Sequence, residues 1–328
     1  MQASVVITTK NRKADLLQAI DSSLRQTASP EVLVLDDGST DGTADLVNRL
    51  HPAVRCFAAA ESQGYIVQRN RAARLASGQI IFSLDDDAIF SSPSIVETTL
   101  REFDDPRVGA VAIPFVDVHR SAKVRQFAPT PGVYANYDFI GTAHAVRRDL
   151  FLALGGYREV LVHQSEEEDY CIRMLNHGYI VRLGSSQAIV HFESPRRSWT
   201  RMDYFGARNK ILYAWHNVPQ PYLIGHLAMT TAKTLLYTLH PSRFAIRLKG
   251  VVNAYHAILS RATARQPVQP ATYLMSRKLK RHGPIRIQHI EPELRRLSSA
   301  CNSQPPVSTA QSAPTLVSSE RPPPMQTF

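Results

Sequence analysis

Short apolar runs alternate with amphipathic stretches through the first hundred residues. Ala3-Ser-Val-Val-Ile-Thr-Thr9 is rich in β-branched residues and predicts a strand. From Asn11 to Gln26 the apolar Leu16, Leu17, Ile20 and Leu24 recur at spacings of three and four, which predicts a helix. Glu31-Val-Leu-Val-Leu35 predicts a second strand, closed by Asp36-Asp37-Gly38-Ser39-Thr40. A helix over 43–50, a short strand near 54–58, a turn at Gly64 and a helix through 69–75 follow. Gln79-Ile-Ile-Phe-Ser-Leu84 is the next strand and runs into Asp85-Asp86-Asp87. Strands and helices alternating at these intervals predict βαβ units and a parallel sheet. Beyond residue 100 the pattern loosens: strands over 108–114 and 178–183, helices over 148–154 and 169–176, then a mostly helical stretch over 199–260. Its most apolar part, 222–239, is broken by His226 and Lys233, which predicts a core or interfacial helix rather than a span. Asn302 to Phe328 is Pro/Ser/Thr/Gln-rich and predicts a disordered tail.

The chain has 328 residues, enough for one large domain with a tail or for two modest ones. Three cysteines, Cys56, Cys171 and Cys301, are too few and too scattered for a disulfide framework or a zinc ribbon. The opening Met-Gln-Ala-Ser runs straight into a strand without a secretory signal, so a cytoplasmic location is expected. No apolar run approaches the ~20 residues of a membrane span. The net charge of +10 hides a division: residues 194–328 carry +15 and residues 1–193 carry −5. The acidic part suits a divalent cation. The basic part suits phosphates, anionic lipid or nucleic acid, or is simply a solvated surface.

Acids gather where predicted strands end, and ligands of open α/β sheets bind beyond those ends. A carboxylate in Asp36-Asp37-Gly38-Ser39 can accept from a nucleobase or ribose, or it can serve a turn that caps the next helix. Asp85-Asp86-Asp87 sets three carboxylates side by side, which raise one another's pKa unless a cation or basic group sits among them. Hard oxygen ligands select Mg²⁺ or Mn²⁺; a solvated acidic turn is the alternative. Glu166-Glu-Glu-Asp-Tyr170 opens a helix, where acids favour the dipole and where one could act as a general base. His191, after Ala188-Ile-Val190, is a candidate metal ligand or phosphate donor.

The combination resembles the family-2 glycosyltransferases. The resemblance rests on Val5-Val-Ile-Thr-Thr-Lys-Asn-Arg12, Leu35-Asp-Asp-Gly-Ser-Thr-Asp-Gly-Thr43, Asn70 with Ala72, Ala73, Ala76 and Gly78, and Phe82-Ser-Leu-Asp-Asp-Asp87. Gly141, Arg148, Gly155-Gly156-Tyr157 and Glu168-Asp169 with Arg173 and Gly178 continue it, over about residues 3–215. It implies a GT-A (Rossmann-like) α/β fold with a mostly parallel central sheet over 1–215, a basic helical extension over 216–300 and a tail over 301–328. Thr8 and Lys10 would touch the nucleotide, Asp37 would read its base, and Arg69 and Asn70 would flank the diphosphate and sugar. Asp85 and Asp86 would contact ribose or donor sugar, Asp87 would bind the metal with His191 near it, and Asp169, beside Glu168, would be the catalytic base. Arg196-Arg197, Arg201 and Arg208-Asn209 resemble a pattern of rhamnosyltransferase-like members and would close over the diphosphate.

The expected reaction is therefore inverting transfer from a nucleotide-diphosphate sugar to a hydroxyl of a glycan or lipid-linked acceptor, in bacterial surface-glycan synthesis. Negative charge developing on the departing diphosphate calls for the cation. The basic helices are expected at the periphery of an anionic membrane. Two other readings compete. A phosphatase with an Asp-x-Asp nucleophile would want that motif after its first strand. A nucleic-acid binder fits the basic charge, but the cations lie apart from aromatic stacking motifs and the first half is acidic, so nucleic acid is not an expected partner.

Overall fold

The computed structural model describes residues 1–192, 198–237 and 240–301, the side chains of 298–301 excepted. The predicted tail over 302–328 lies outside the described residues. Along the chain the elements are β1 (Ala3–Thr9), α1 (Lys13–Leu24), β2 (Glu31–Asp36), α2 (Thr43–Leu50), β3 (Arg55–Ala58), α3 (Tyr65–Leu75), β4 (Ile80–Asp85), β5 (Ala88–Phe90) and α4 (Ile95–Arg101). There follow β6 (Val108–Ala112), β7 (Phe115–Asp117), β8 (Ser121–Arg125), β9 (Tyr134–Asn136), β10 (His144–Arg147), α5 (Arg148–Ala153), α6 (Glu166–Asn176), β11 (Ile180–Leu183) and β12 (Ile189–His191). The last part holds α7 (Trp199–Asn217), α8 (Leu223–Leu236), α9 (Pro241–Leu259), α10 (Pro270–His282), β13 (Ile285–Arg286) and α11 (Glu291–Cys301).

Nine strands form the central sheet in the order β13-β9-β11-β6-β10-β4-β1-β2-β3. All run in one direction except β9 and β10, so the expected mostly parallel α/β sheet is present. Alternate residues of each inner strand serve opposite faces. Val5 and Ile7, Val32 and Val34, and Ile80, Phe82 and Leu84 join one apolar cluster, whereas Val6, Leu33, Leu35 and Ile81 join another. Burial on both faces explains why these strands read as continuous apolar runs. The first face is covered by α1 and, far along the chain, by α10 and α11; the second by α3, α6 and α7. At one crossing the backbones nearly touch: a Cβ on Gly78 would lie 2.6 Å from the Ala3 carbonyl carbon, so only glycine fits.

The looser second half hid several elements. β5, β7, β8 and β12 build a separate four-stranded sheet, and β9, β10 and β13 add to the main one. These strands have two to five residues, too short for a period-two signal. Residue 215 falls inside α7, and Met275, Leu279, Ile290, Leu294 and Leu297 pack into the same cluster as β1. The segment after 215 thus shares the sheet's core. Among the described residues, no helix is long and apolar enough to cross a membrane.

Leu294 is fully buried. Leu294→Ala is expected to lower stability by about 2–5 kcal/mol. Urea unfolding should show one shifted transition; an early separate transition would mean that α10 and α11 melt independently of the sheet.

Candidate functional site

The site lies beyond the carboxyl ends of β1, β2 and β4. Parallel register sets Thr8 opposite Asp85 on one side, and Thr9 opposite Asp36 on the other. Three stretches separated by up to 77 residues therefore end on one level, with the Asp37 amide donating to the Thr9 carbonyl at 2.9 Å. Thr8 is half-buried and Lys10 exposed at this rim.

Asp37 is already fully bonded. It accepts from Ser62 Oγ (2.5 Å), the amides of Gln63 (2.8 Å) and Gly64 (3.0 Å), and Gln68 Nε2 (2.9 Å). Burial opposes its charge, but these donors outweigh burial and hold its pKa below the ordinary value. Here the carboxylate orders the loop before α3. The nearby Asp36 accepts from the Ser39 amide at 2.8 Å, closing the turn at Gly38.

The three carboxylates after β4 separate sharply. Asp85 receives Arg69 Nη2 at 2.7 Å. Asp86 turns inward to Thr9 Oγ1 (2.8 Å) and Arg12 Nη1 (3.1 Å), and burial pushes its pKa up to about 7. Asp87 lies between Arg12 Nη1 (2.9 Å) and His191 Nε2 (3.2 Å); burial opposes its charge, but both partners draw its pKa down. Arg12 is a site residue that the sequence pattern did not single out. The signal was the triad itself, which demands a basic group or a cation, but a flexible arginine three residues past a strand gave no direction.

His191 arrives through the small sheet. Antiparallel pairing sets it opposite Ala88, next to Asp87, and parallel pairing sets it opposite Asp117. Its Nδ1 faces Asp117 at 3.3 Å while Nε2 faces Asp87. A second carboxylate behind a metal-binding histidine fixes its ring. One ligand atom each from Asp85, Asp87 and His191 lie within 4.8 Å of one another. Two carboxylates and an imidazole fit Mn²⁺ or Mg²⁺ by donor chemistry, so the residues present suit the expected ion.

The first turn of α6 sends its four acids different ways, as a 100° step per residue requires. Asp169, expected as the base, is fully buried. It accepts from Arg158, from Arg173 Nε (3.0 Å) and from Asn217 Nδ2 (2.8 Å), and these cations more than offset burial to keep its pKa low. A carboxylate so enclosed fastens α6 to α7 and to the turn before it. Glu168 faces away, to Tyr137 Oη and Lys280 Nζ (2.7 Å). Glu166 and Glu167 approach Arg69 Nη1, at 3.4 and 4.0 Å. Glu167 keeps some exposure, and burial together with the Glu166 charge raises its pKa well above that of a free glutamate. A Cβ on Gly141 would fall 2.4 Å from Glu167 Oε1 and 3.0 Å from Arg69 Nη1, so this glycine leaves room for both.

Arg69 thus touches the triad and α6 at once, while stacking over Tyr65 at 4.9 Å. Asn70, its neighbour, does otherwise: Nδ2 donates to the Tyr157 carbonyl (2.8 Å) and Oδ1 accepts the Tyr157 amide (2.8 Å). Its amide is committed to the 155–159 turn rather than to a diphosphate. Arg208 and Asn209 also depart from expectation, holding the carbonyls of Val160, Leu161, His163 and Gln164 in the loop that leads into α6. Arg201 lies over Phe205, and Arg196 and Arg197 fall outside the described residues.

Known proteins place this architecture. Residues 4–153 match the family described as Glycosyl transferase family 2. A validoxylamine A glucosyltransferase of Streptomyces hygroscopicus subsp. limoneus is 38% identical over 116 residues, which are 34% of this chain and 25% of that protein. The succinoglycan biosynthesis protein ExoU of Rhizobium meliloti is 24% identical over 263 residues, covering 78% and 69% of the two chains. The chain spans about a quarter of the length of the first curated relatives it matches. Among solved structures, the mannosyltransferase PcManGT of Pyrobaculum calidifontis, in complex with GDP-Man and Mn²⁺, superposes with a TM-score of 0.52 at 21% identity, covering 92% of this chain and 87% of that one. With the Asp-x-Asp motif at the strand ends, residues 4–153 are similar to the family-2 glycosyltransferases, and the chain has the GT-A fold.

Proposed function

We propose that this protein transfers a sugar, with inversion, from a nucleoside diphosphate donor to an acceptor hydroxyl, and that Glu167 is the general base. The observation that carries the reading is the Arg69 bridge, which brings the acid triad after β4 and the acid turn of α6 to one guanidinium. Asp85, Asp87 and His191 would hold Mn²⁺ or Mg²⁺. When bound, the ion supplies positive charge beside the departing diphosphate. Arg12, already on Asp86 and Asp87, adds a second cation at that end. Thr8, Lys10 and the loop ordered by Asp37 would receive the nucleoside, as the family resemblance implies.

Glu167 is preferred to Asp169 on chemical grounds. A base must reach the acceptor and must hold a proton once it has taken it. Asp169 is enclosed and its pKa is depressed, whereas Glu167 is partly exposed, adjoins Arg69 and has a raised pKa. The Asp-x-Asp phosphatase reading is weaker, because the motif follows β4 rather than the first strand.

Glu167→Gln is expected to lower turnover ~10²–10⁴-fold while leaving thermal stability and nucleotide binding in place. Asp169→Asn should instead cost about 3–5 kcal/mol of stability, because Arg158 and Arg173 lose their buried partner. Parallel turnover assays and melting curves separate the two, and the opposite pattern would return the base to Asp169. Since the raised pKa keeps Glu167 protonated at low pH, the wild-type rate should climb as pH rises through that pKa and then level off. A flat profile would remove the assignment.

UDP or GDP should raise the melting temperature of the wild type only with Mn²⁺ or Mg²⁺ present; saturation at 100 times Kd corresponds to about 2.7 kcal/mol. Asp87→Asn should abolish that metal-dependent rise, and an undiminished rise would take Asp87 out of the ion site.

A further inference from the structure

Beside the start of α6 opens a second concavity, a cleft of about 550 Å³, within the range of small-molecule sites. Its walls follow from helical spacing. Tyr273, Ser276, Arg277 and Lys280 fall on one face of α10, and Gly225, Met229 and Lys233, four apart, on one face of α8. Ser165 and Glu168 form its floor, and in the chain these residues bracket Glu167.

The charge of this cleft is unbalanced. Lys210, Lys233, Arg277 and Lys280 line it against one carboxylate, Glu168, which is taken by Lys280 at 2.7 Å. Among the described residues, no ion pair engages Lys210, Lys233 or Arg277. The surplus is felt nearby: His226, on the same wall, has its pKa pushed down to about 4 by burial and then by Arg277, Lys280 and Lys233. Like charges gathered in a cavity repel one another unless an anion joins them. Tyr222 and Tyr273, with ring centroids 5.0 Å apart, offer flat faces suited to a sugar ring.

The rim adds an apolar element. Ile224, Met229, Leu236 and Tyr237 are each more than half exposed. The exposed arc of α8 overlaps the cleft-lining arc at Gly225, Met229 and Lys233. Cations below an exposed apolar helix face suit a molecule that joins a phosphate to a hydrocarbon chain.

We propose that this cleft is the acceptor subsite and takes a sugar carried on a lipid-linked phosphate or diphosphate, with the phosphate among Lys210, Lys233 and Arg277 and the lipid along the outer face of α8. The proposal rests on the transfer reading above, since the acceptor hydroxyl would face Glu167.

The test measures binding without turnover. Farnesyl diphosphate, inorganic pyrophosphate and farnesol are titrated into the full chain in EDTA, which silences the ion site. The wild type and the double variant Lys233→Ala/Arg277→Ala are compared. Farnesyl diphosphate should bind the wild type at least tenfold more tightly than it binds the double variant, and tenfold more tightly than either pyrophosphate or farnesol binds the wild type. The melting shift with Mn²⁺ and UDP or GDP should be the same in both proteins, which shows that the variant is folded. Equal binding of farnesyl diphosphate to both proteins would overturn the phosphate assignment. Pyrophosphate binding as tightly as farnesyl diphosphate would overturn the lipid assignment. A wild type that binds farnesyl diphosphate but never responds to nucleotide and metal would overturn the transfer reading and leave the cleft's chemistry standing.

Discussion

Everything at the crevice hinges on a single buried guanidinium. Arg69 comes from α3, yet it reaches Asp85 at the end of β4 and Glu166 and Glu167 at the start of α6. Glu166, almost fully buried, could not sit there charged without it, since burial favours the neutral carboxyl. Arginine suits the task because its planar fork donates in several directions at once and stays charged when buried. The stacked Tyr65 and the bare Gly141 complete its slot. Removing Arg69 would leave its buried acids without a compensating cation, so the cluster depends on this one side chain.

The second organising constraint is strand register. The parallel pairings of β1 bring Thr8, Asp36 and Asp85 to a common edge without any local motif requiring it. The small sheet does the same for His191 and Asp117. A slip of one residue in either sheet would turn these side chains to the opposite face. The chemistry therefore depends on apolar cores beneath the strands, which hold the register, as much as on the polar residues above them.

This division explains what could be read from the chain. The first four β-strands and three helices announce themselves because long buried strands and amphipathic helices have strong periods, and the acids after β2 and β4 stand out against those apolar runs. β7, β9, β10 and β12 are three or four residues long and carry no period, so the partner of His191, Asp117, stayed hidden. The four acids of α6 were visible as a group, but which one faced the crevice depended on helix phase, and the phase is set by Arg158, Arg173 and Asn217 gripping Asp169. Asn70 and Arg208-Asn209 sat where ligand contacts were expected because tight loops and ligand sites call for the same polar residue types.

The acidic turn of α6 is a rotary arrangement: Glu166 and Glu167 aim at Arg69, Glu168 at the neighbouring cleft and Asp169 at the scaffold. Adding or deleting a single residue just before it would advance the helix by 100° and reassign all three duties in one stroke. The carbonyls gripped by Asn209, over 161–164, act as a detent that keeps upstream changes from turning the shaft.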